Sequence, residues 1–398
     1  MFDVKSISDF VDAHRDECIR CAQEIISTPS VTPDEEPVSL VFTKWMEENG
    51  LKVEKHEFAP HRPNLFAEWK GTQPGKRFVF NGHMDVFPPD AKGMPHGAWS
   101  AEIHDGKIWG RGAADMKGGD CAALMAVILL KRMGFDPKGS VLLSYMCDEE
   151  FGSRLGVIAD LKAGLIEGDF GICMEATNGR VIAKHGGIIR GNFTYEAEAR
   201  HAGEPYELGD DALKKAHTAV TELYKIEDRL SKIPPNGEIP RPCFTISVFK
   251  SGDAANLHTS KAEVWFDRRL VPGEDHDAAL KEITDVLDNL KATRKGYDYT
   301  FTVTNDRPLL DVDYDDPFCK LLCDAYEEVT GKPTDCGFGA WGSDAAWIWK
   351  ETGMPMPNFA AGVTLGPGGS GAQDEHLPVE DYIDFIKIYM NCMVKALG

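Results

Sequence analysis

Long hydrophobic runs and an excess of positive charge are both missing from this sequence of 398 residues. Its longest apolar run, Cys121 to Leu130, is about half the ~20 residues that a membrane-spanning helix needs. The formal net charge of −21 disfavours binding to nucleic-acid phosphates or anionic lipid. The start, MFDVKSISDF, has acidic residues and no apolar block, so it shows no secretory signal. We therefore expect a soluble, cytoplasmic protein with neither a nucleic-acid nor a membrane partner.

Paired cysteine motifs are also scarce. Of the ten cysteines, Cys18 and Cys21 form a single C-x-x-C, and no second pair completes a four-cysteine zinc site. Residues 11–26 are predicted to form one amphipathic helix, in which this spacing places two small apolar side chains on one face. A redox or metal role for the pair is the minor alternative. Many thiols without a disulfide framework are typical of a reducing compartment.

The order of predicted elements indicates an α/β fold with an insertion. Strands at 77–80, 140–146 and 169–175 alternate with helices such as 117–132, which predicts a mostly parallel sheet flanked by helices. Residues 181–305 follow the order β-α-β-β-α-β instead, which predicts a ferredoxin-like α+β domain with a small antiparallel sheet. We therefore expect one domain at 1–180 and 306–398, interrupted by a second at 181–305.

The first motif with metal-binding chemistry follows the strand at 77–80. It reads NGHMDVFPP and places His83 and Asp85 two residues apart, so that a carboxylate could orient an imidazole ligand. Taken alone, this spacing is more often incidental. Asp115 stands at the start of the helix at 117–132, where the alternative role is an ordinary N-cap.

Further candidates stand at the ends of the next two strands and near the C-terminus. Glu149 and Glu150 follow the strand at 140–146, and Glu175 ends the strand at 169–175, where parallel sheets place their ligands. His376 follows a glycine-rich run. Each could be an ordinary surface residue. Together, the two histidines and the carboxylates suit zinc, cobalt or manganese and are too many for one tetrahedral ion.

Five segments carry a specific family resemblance. They are GHMDVFPP (82–89), GRGAADMKGG (110–119), CDEEFGS (147–153), ICMEAT (172–177) and EHLPVED (375–381). In this order and at these distances they resemble the dinuclear metallopeptidase family of acetylornithine deacetylase, succinyl-diaminopimelate desuccinylase, aminoacylase and a bacterial glutamate carboxypeptidase. The resemblance covers nearly the whole chain and implies that the inserted domain is a lid and dimerisation domain.

The resemblance implies a role for each of these residues. His83 and Glu175 look like ligands of one metal ion, Glu150 and His376 look like ligands of a second, and Asp115 looks like the bridge between them. In the same way, Glu149 matches the general acid/base, and Asp85 matches the carboxylate behind the first histidine. The resemblance also implies a cis peptide bond after the bridging aspartate.

The inserted segment extends the resemblance towards substrate binding. RHAGEPYELGDDA (200–212) resembles a signature in which His201 would reach the active site of the other subunit of a homodimer and hydrogen-bond the oxyanion. ANLH (255–258) and FDRRLVPG (266–273) resemble elements that would place Asn256 and Arg269 at the polar end of the substrate. His201 could instead cap a strand end, and Arg269 could pair with a neighbouring aspartate. Asp211 and Thr259 depart from the family's usual Asn and Pro, which leaves specificity open.

The implied reaction is hydrolysis of the amide bond of an N-acyl amino acid by a hydroxide that bridges two divalent ions, most simply zinc. Glu at position 175 favours a deacylase or carboxypeptidase. A metal-dependent carboxypeptidase or dipeptidase acting on small peptides is the alternative. A non-catalytic metal-binding protein is a third hypothesis, and Glu149 argues against it because a structural site has no use for a base that is not a ligand.

Overall fold

The computed structural model describes residues 2–205 and 211–398, which divide into two compact units. The first unit comprises the described residues up to Lys184 together with Val312–Gly337 and Ser343–Gly398. The second comprises His185–Asp311 and Phe338–Gly342. The insertion expected at 181–305 overlaps this second unit.

The first unit is built on a sheet whose central strands are parallel. Its strands are β1 (Val53–Glu57), β2 (Pro63–Lys70), β3 (Gln73–His83), β6 (Lys138–Met146), β7 (Phe170–Ala176), β8 (Val181–His185) and β17 (Asn358–Ala360). They lie in the order β1-β2-β6-β3-β7-β17-β8, and β16 (Cys336–Gly339) pairs with β8. The pairs from β6 to β17 are parallel, whereas β1, β2 and β8 pair antiparallel with their neighbours. Because both faces of such a sheet are covered, the buried part of its central strands is mostly apolar, for example at Phe78, Phe80 and Ile172.

Helices flank this sheet. They are α1 (Val4–Ala13), α2 (Arg15–Ile26), α3 (Glu36–Glu48), α4 (Lys117–Arg132), α5 (Val157–Lys162), α8 (Pro317–Thr330), α9 (Ala345–Thr352) and α10 (Val379–Leu397), with a short 3-10 helix at Glu149–Phe151. The buried helix α4 packs against β3, β7, α2 and α10. Gly119 permits this close packing, since a Cβ there would lie 2.2 Å from the carbonyl oxygen of Met174.

The single helix expected at 11–26 is two helices. His14 leaves the helical conformation, with φ −110° and ψ 15°, and its Nδ1 lies 2.8 Å from the carbonyl oxygen of Phe10. Cys18 and Cys21 are buried on α2 as free thiols, which fits ordinary helix positions. Throughout residues 2–205 and 211–398, none of the helices has the length and apolar character that crossing a bilayer demands.

A separate three-stranded antiparallel sheet joins two distant parts of the first unit. It consists of β4 (Ile103–His104), β5 (Lys107–Trp109) and β18 (His376–Pro378), in the order β18-β5-β4. The two-residue turn between β4 and β5 is Asp105-Gly106, with φ values of 51° and 73° that suit this tight hairpin. The sheet places His376 opposite Trp109.

The second unit has the ferredoxin-like order of strands. Its elements are β9 (Gly187–Glu196), β10 (Arg200–His201), α6 (Ala212–Leu230), β11 (Cys243–Ser251), β12 (Leu257–His258), β13 (Lys261–Leu270), α7 (His276–Thr293), β14 (Tyr299–Arg307) and β15 (Leu310–Asp311). Its main sheet has the antiparallel order β11-β13-β9-β14, and β10 pairs with β12. The apolar faces of α6 and α7 pack on this sheet around residues such as Phe193, Phe266 and Leu287.

Candidate metal centre

Three of the predicted ligands meet in the first unit. His83 ends β3, Glu175 lies near the end of β7, and Asp115 precedes α4. The Nε2 atom of His83 lies 3.1 Å from Asp115 Oδ1 and 3.6 Å from Glu175 Oε1. One ligand atom from each of the three residues lies within 4.8 Å of the other two. Parallel strands bring their carboxyl ends to one edge of the sheet, and this edge is where the cluster forms.

Contacts of Nδ1 with Asp85 fix the orientation of the His83 ring. Its Nδ1 lies 2.8 Å from the backbone carbonyl oxygen of Asp85 and 3.5 Å from the carboxylate Oδ1 of the same residue. An imidazole that donates from Nδ1 presents the lone pair of Nε2 to the cluster, as metal-binding histidines commonly do. The backbone carbonyl of Asp85 is therefore the nearer acceptor for His83. The sequence motif had predicted the Asp85 carboxylate in this role.

The Asp85 carboxylate organises the two adjacent glutamates instead. It accepts hydrogen bonds from the backbone N–H groups of Glu149 and Glu150, at 3.1 and 3.2 Å, and from the hydroxyl of Thr32 at 2.7 Å. Glu149 Oε2 lies 3.9 Å from His83 Nε2. Glu150 is half-buried on the same 3-10 helix and lies outside the group of three close ligands.

His376 also lies outside that group but is oriented in the same way. Its Nδ1 lies 2.7 Å from the carbonyl oxygen of Asp374, and its ring packs on Trp109 with ring centroids 4.7 Å apart. Gly368, at φ 82°, allows the preceding loop to pass close by, since a Cβ there would lie 2.4 Å from His376 Cε1. Both histidines thus engage Nδ1 with a backbone carbonyl two residues away.

A buried ion pair that the sequence analysis missed holds Asp115 in place. Glu375 Oε1 accepts hydrogen bonds from the backbone N–H groups of Ala114 and Asp115, at 3.0 and 3.2 Å, while its other oxygen pairs with Arg111 at 2.5 Å. The hydroxyl of Ser370 donates to Asp115 Oδ2. The Asp115–Met116 peptide bond is cis, as the resemblance implies. Arg111 and Glu375 stand within the matched motifs, but their pairing spans 264 positions and has no local signal.

The charges of the cluster call for a cation. Burial raises the pKa of Glu150 and Glu175, and the nearby Asp115 carboxylate raises each further. Burial alone would lower the pKa of His83, but hydrogen bonds with Asp115, Asp85 and Glu175 outweigh it and raise the pKa well above the usual value. By contrast, the hydrogen bond with His83 helps to lower the pKa of Asp115, so the cluster keeps an ionised carboxylate beside groups whose ionisation burial disfavours.

The donor set fits a divalent transition metal. Carboxylate oxygens and an imidazole nitrogen are ligands of zinc, cobalt and manganese, and a bound cation would favour the deprotonated form of each ligand. His83 and Glu175 are 1% and 4% exposed, so such a cation would be enclosed by protein on the side of the sheet.

The predicted residues of the inserted segment lie in the second unit. His201 is exposed at the end of β10, where its Nδ1 accepts a hydrogen bond of 3.2 Å from the backbone N–H of Gly203. The carbonyl oxygen of Asn256 accepts from the backbone N–H of Ala202 at 2.9 Å, which links the two motifs. Part of the predicted signature, residues 206–210, lies outside the described residues. Asp211 caps α6 at Lys214 N and contacts His258 Nδ1 at 2.9 Å.

Arg269 lies at a cavity of about 300 Å³ within the second unit. The cavity is lined by residues that include Arg241, Phe338 and Trp341. The guanidinium of Arg269 pairs with Asp267 at 2.7 Å, and Arg190 contacts the same carboxylate at 2.7 Å. Arg269 thus pairs with Asp267, which was the alternative that the sequence left open. This ion pair occupies part of the guanidinium that a substrate carboxylate would use.

The chain is similar to known proteins over most of its length. The model of Peptidase family M20/M25/M40 matches residues 79–395. The N-formyl-4-amino-5-aminomethyl-2-methylpyrimidine deformylase of Bacillus subtilis (strain 168) is 24% identical over 98% of this chain and 97% of its own length. The succinyl-diaminopimelate desuccinylase of Maricaulis maris (strain MCS10) is 30% identical over 92% of this chain and 93% of its own.

Solved structures share the fold over the same length. The YXEP protein of Bacillus subtilis, described as a dinuclear metal binding peptidase from the M20 family, has a TM-score of 0.70 at 16% identity and covers 97% of this chain and 99% of its own. A putative aminohydrolase from methicillin-resistant Staphylococcus aureus has a TM-score of 0.77 at 15% identity, with complete coverage of both chains. The family model spans most of the sequence and contains all of the clustered residues. The chain therefore belongs to Peptidase family M20/M25/M40 and is a hydrolase of amide or peptide bonds.

Proposed function

We propose that this protein removes the acyl group of an N-acyl amino acid at a centre of two divalent metal ions. The observation that carries the proposal is the buried convergence of His83, Asp115 and Glu175, with the Glu149 carboxylate 3.9 Å from His83. Family membership and the dinuclear description of the YXEP structure support two ions. Zinc is our choice among the metals that suit these ligands, ahead of cobalt and manganese.

The ligand assignment follows the sequence motifs. His83 and Glu175 would hold one ion, Glu150 and His376 the other, and Asp115 would bridge them. The direct support is strongest for His83, Asp115 and Glu175, whose ligand atoms already lie together. For His376 the support is an orientation of the ring that matches that of His83, with Nδ1 on a backbone carbonyl and Nε2 left for a ligand role.

In this proposal the protein supplies the acid–base chemistry. Two bound divalent ions would polarise the substrate carbonyl and lower the pKa of a water molecule. Glu149 takes a proton from the attacking water and delivers it to the leaving nitrogen, so the carboxylate is regenerated in each cycle. Asp85 positions Glu149 through its backbone N–H and is not itself a proton carrier in this scheme.

Replacing Glu149 tests this role. E149Q keeps the shape of the side chain but cannot accept the proton, so we expect kcat to fall about 10²–10⁴-fold. Metal content should stay at the wild-type value, because Glu149 is not a ligand in this scheme. E167Q is the matched control, since Glu167 is exposed in the same unit. Near-normal turnover by a fully metal-loaded E149Q would contradict the proposal.

The names of the relatives favour a deacylase. They describe a deformylase and a desuccinylase that match nearly the whole chain, whereas the peptidases among the solved structures share only the fold, at 14–19% identity. The test compares N-formyl, N-acetyl and N-succinyl amino acids with unblocked dipeptides. We expect at least one N-acyl amino acid to show a kcat/KM at least about tenfold above every dipeptide, a difference of ~1.4 kcal/mol. The reverse ranking would make the protein a dipeptidase or carboxypeptidase.

The second unit would supply substrate contacts and the dimer interface. We infer that His201 stabilises the oxyanion from the partner subunit and that Asn256 and Arg269 bind the polar end of the substrate. Val248 and Phe249 support a homodimer, because both are exposed apolar residues on the edge strand β11. Light scattering should give twice the chain mass for the wild type and the chain mass for V248K/F249K. A wild-type monomer would contradict the trans role of His201.

We also infer a cytoplasmic location. The support is the set of ten free thiols, which is typical of proteins in a reducing compartment. Fractionation of the source cells with marker enzymes for each compartment tests this inference, and recovery of the protein outside the cytoplasmic fraction would contradict it.

A further inference from the structure

A second group of metal-binding side chains lies on the surface of the first unit. It consists of His96, Glu102 and His104, which we call the surface triad. One ligand atom from each residue lies within 4.8 Å of the other two. The sequence motifs and the proposed reaction make no use of these residues. We propose that the surface triad is a separate binding site for a divalent transition-metal ion of the zinc and copper class.

The spacing of the two rings suits a shared ion. The imidazoles of His96 and His104 are stacked, with centroids 3.8 Å apart and an interplanar angle of 15°. Two nitrogen ligands at about 2.0–2.1 Å from a tetrahedral ion lie roughly 3.3 Å from each other. The lone pair of an imidazole nitrogen lies in the plane of its ring, so a shared ion requires one of the two stacked rings to turn out of the stack. The ligand atoms start within 4.8 Å of one another, and His96 is exposed.

The carboxylate completes a set of three ligands. Glu102 Oε2 lies 2.8 Å from His104 Nε2, and the two residues point the same way because they are two apart on extended backbone at the start of β4. An ion bound between them would replace this hydrogen bond after a side-chain shift of a few tenths of an ångström. All three side chains are at least partly exposed, so solvent can fill the remaining coordination positions.

The backbone beneath the surface triad is well defined. The tight turn at Asp105-Gly106 fixes the hairpin that carries His104, and the indole N–H of Trp109 donates to the carbonyl oxygen of His104 at 3.1 Å. The Trp109 ring also contacts the His96 ring, with centroids 4.9 Å apart. Trp109 therefore contacts both His96 and His104. These contacts limit the motion of the two residues and so reduce the entropy lost when an ion binds.

The chemistry of the three donors sets the expected preference. Two imidazoles and one carboxylate favour zinc, nickel and copper(II) over calcium and magnesium, which prefer oxygen ligands. Because the site is open to solvent, we expect weaker binding than at the buried cluster. The ion count per chain would then rise with the zinc concentration in two separate steps.

Counting ions in the full-length protein tests the proposal. After equilibration in zinc buffers of rising free concentration, we expect the wild type to hold about one zinc ion per chain more than H96A/H104A at saturation. H61A is the matched control, because His61 is an exposed histidine that pairs with a single carboxylate, that of Glu36, at 2.8 Å. Copper(II) added to the zinc-loaded wild type should give an electron paramagnetic resonance signal with coupling to two nitrogens, and E102A should weaken that binding at least about tenfold, or ~1.4 kcal/mol.

A further variant separates this proposal from the proposed function. H83A should lose ions of the buried cluster and still hold the ion of the surface triad. Equal zinc content in wild type and H96A/H104A at every concentration would overturn the surface site, whatever the activity. Equal zinc content in wild type and H83A, with one ion fewer in H96A/H104A, would instead overturn the proposed catalytic centre and leave the surface site standing.

Discussion

The buried cluster and the surface triad contain similar donors in opposite surroundings. His83, Asp115 and Glu175 are enclosed. Burial and the nearby Asp115 carboxylate raise the pKa of Glu175 to about 8, and hydrogen bonds with Asp115, Asp85 and Glu175 raise the pKa of His83 against the effect of its burial. His96 and Glu102 are exposed to water. Both groups bring their ligand atoms within 4.8 Å of one another, so donor spacing alone does not distinguish a catalytic centre from a surface site. Burial makes a bound cation energetically coupled to the fold, whereas exposure makes it an optional ligand.

The two groups also differ in how their ligands are supported. Behind the buried cluster stand Asp85, which holds the Glu149–Glu150 turn, and Glu375, which holds the backbone at Asp115. Trp109 is the main support of the surface triad. Supporting hydrogen bonds of this kind commonly change metal affinity or activity 10–100-fold when they are removed.

The largest effect is expected at the bridge. D115A removes the ligand that both ions would share, so we expect turnover to fall to background and the tightly bound ions to be lost. The zinc bound at the surface triad should remain, which sharpens the contrast between the two groups. Parallel measurement of turnover and zinc content checks this. Retention of both tightly bound ions by folded D115A would contradict the bridging role of Asp115.

A smaller effect on turnover is expected at Glu375, which holds the backbone of the bridging residue Asp115. E375Q keeps an acceptor for the Ala114 and Asp115 N–H groups but removes the charge that pairs with Arg111. We expect kcat to fall about 10–100-fold while zinc affinity weakens by a similar factor. Zinc competition with a chromogenic chelator separates this positioning role from a loss of fold, because a purely structural effect would lower the melting temperature without changing affinity in the folded protein.

A change of packing beneath the buried cluster should alter stability. In G119A the new Cβ would meet the Met174 carbonyl oxygen at 2.2 Å, so α4 has to shift from β7. We expect a loss of about 1–3 kcal/mol in the free energy of unfolding. G134A is a comparison for backbone strain without a clash, since a Cβ at Gly134 meets no atom within 4 Å while its φ of 81° disfavours alanine. Urea unfolding of both variants measures the difference, and equal stability of G119A and wild type would contradict the packing account.

The smallest effect on stability is expected at the surface triad. In zinc-free buffer, H96A should change the free energy of unfolding by no more than about 0.5 kcal/mol, because it is an exposed substitution. With zinc at 100 times its Kd for the triad, the wild type should gain ~2.7 kcal/mol that the variant lacks. Thermal unfolding with and without zinc checks this. A large destabilisation of H96A without zinc would show that His96 contributes to the stability of the metal-free fold, which would contradict this prediction.

Much of the fold follows from the local pattern of the sequence. The helix predicted at 117–132 has those bounds in the structure, because uninterrupted apolar periodicity marks it. The break at His14 was not predictable, since apolar spacing continues across it. The positions of His83 and Glu175 at strand ends could be predicted because parallel strands end at one edge of the sheet.

The remaining parts of the site depend on tertiary contacts. The pairing of Arg111 with Glu375 and the hydrogen bonds from the Glu149–Glu150 turn to Asp85 join segments far apart in the chain. The surface triad arises where a loop folds back on a hairpin, and no local pattern connects His96 with His104. Such contacts are set by how elements pack, which spacing along the chain does not record.

Anomalous X-ray scattering from zinc-loaded crystals of the full chain tests most directly whether His83, Asp115 and Glu175 bind metal. We expect two strong peaks at the buried cluster, with zinc at about 2.0–2.2 Å from His83 Nε2 and from oxygens of Asp115 and Glu175. We expect a weaker peak at the surface triad that appears only at higher zinc concentration. Strong peaks confined to other positions, with the hydrogen bond between His83 and Asp115 intact, would contradict the proposed metal centre.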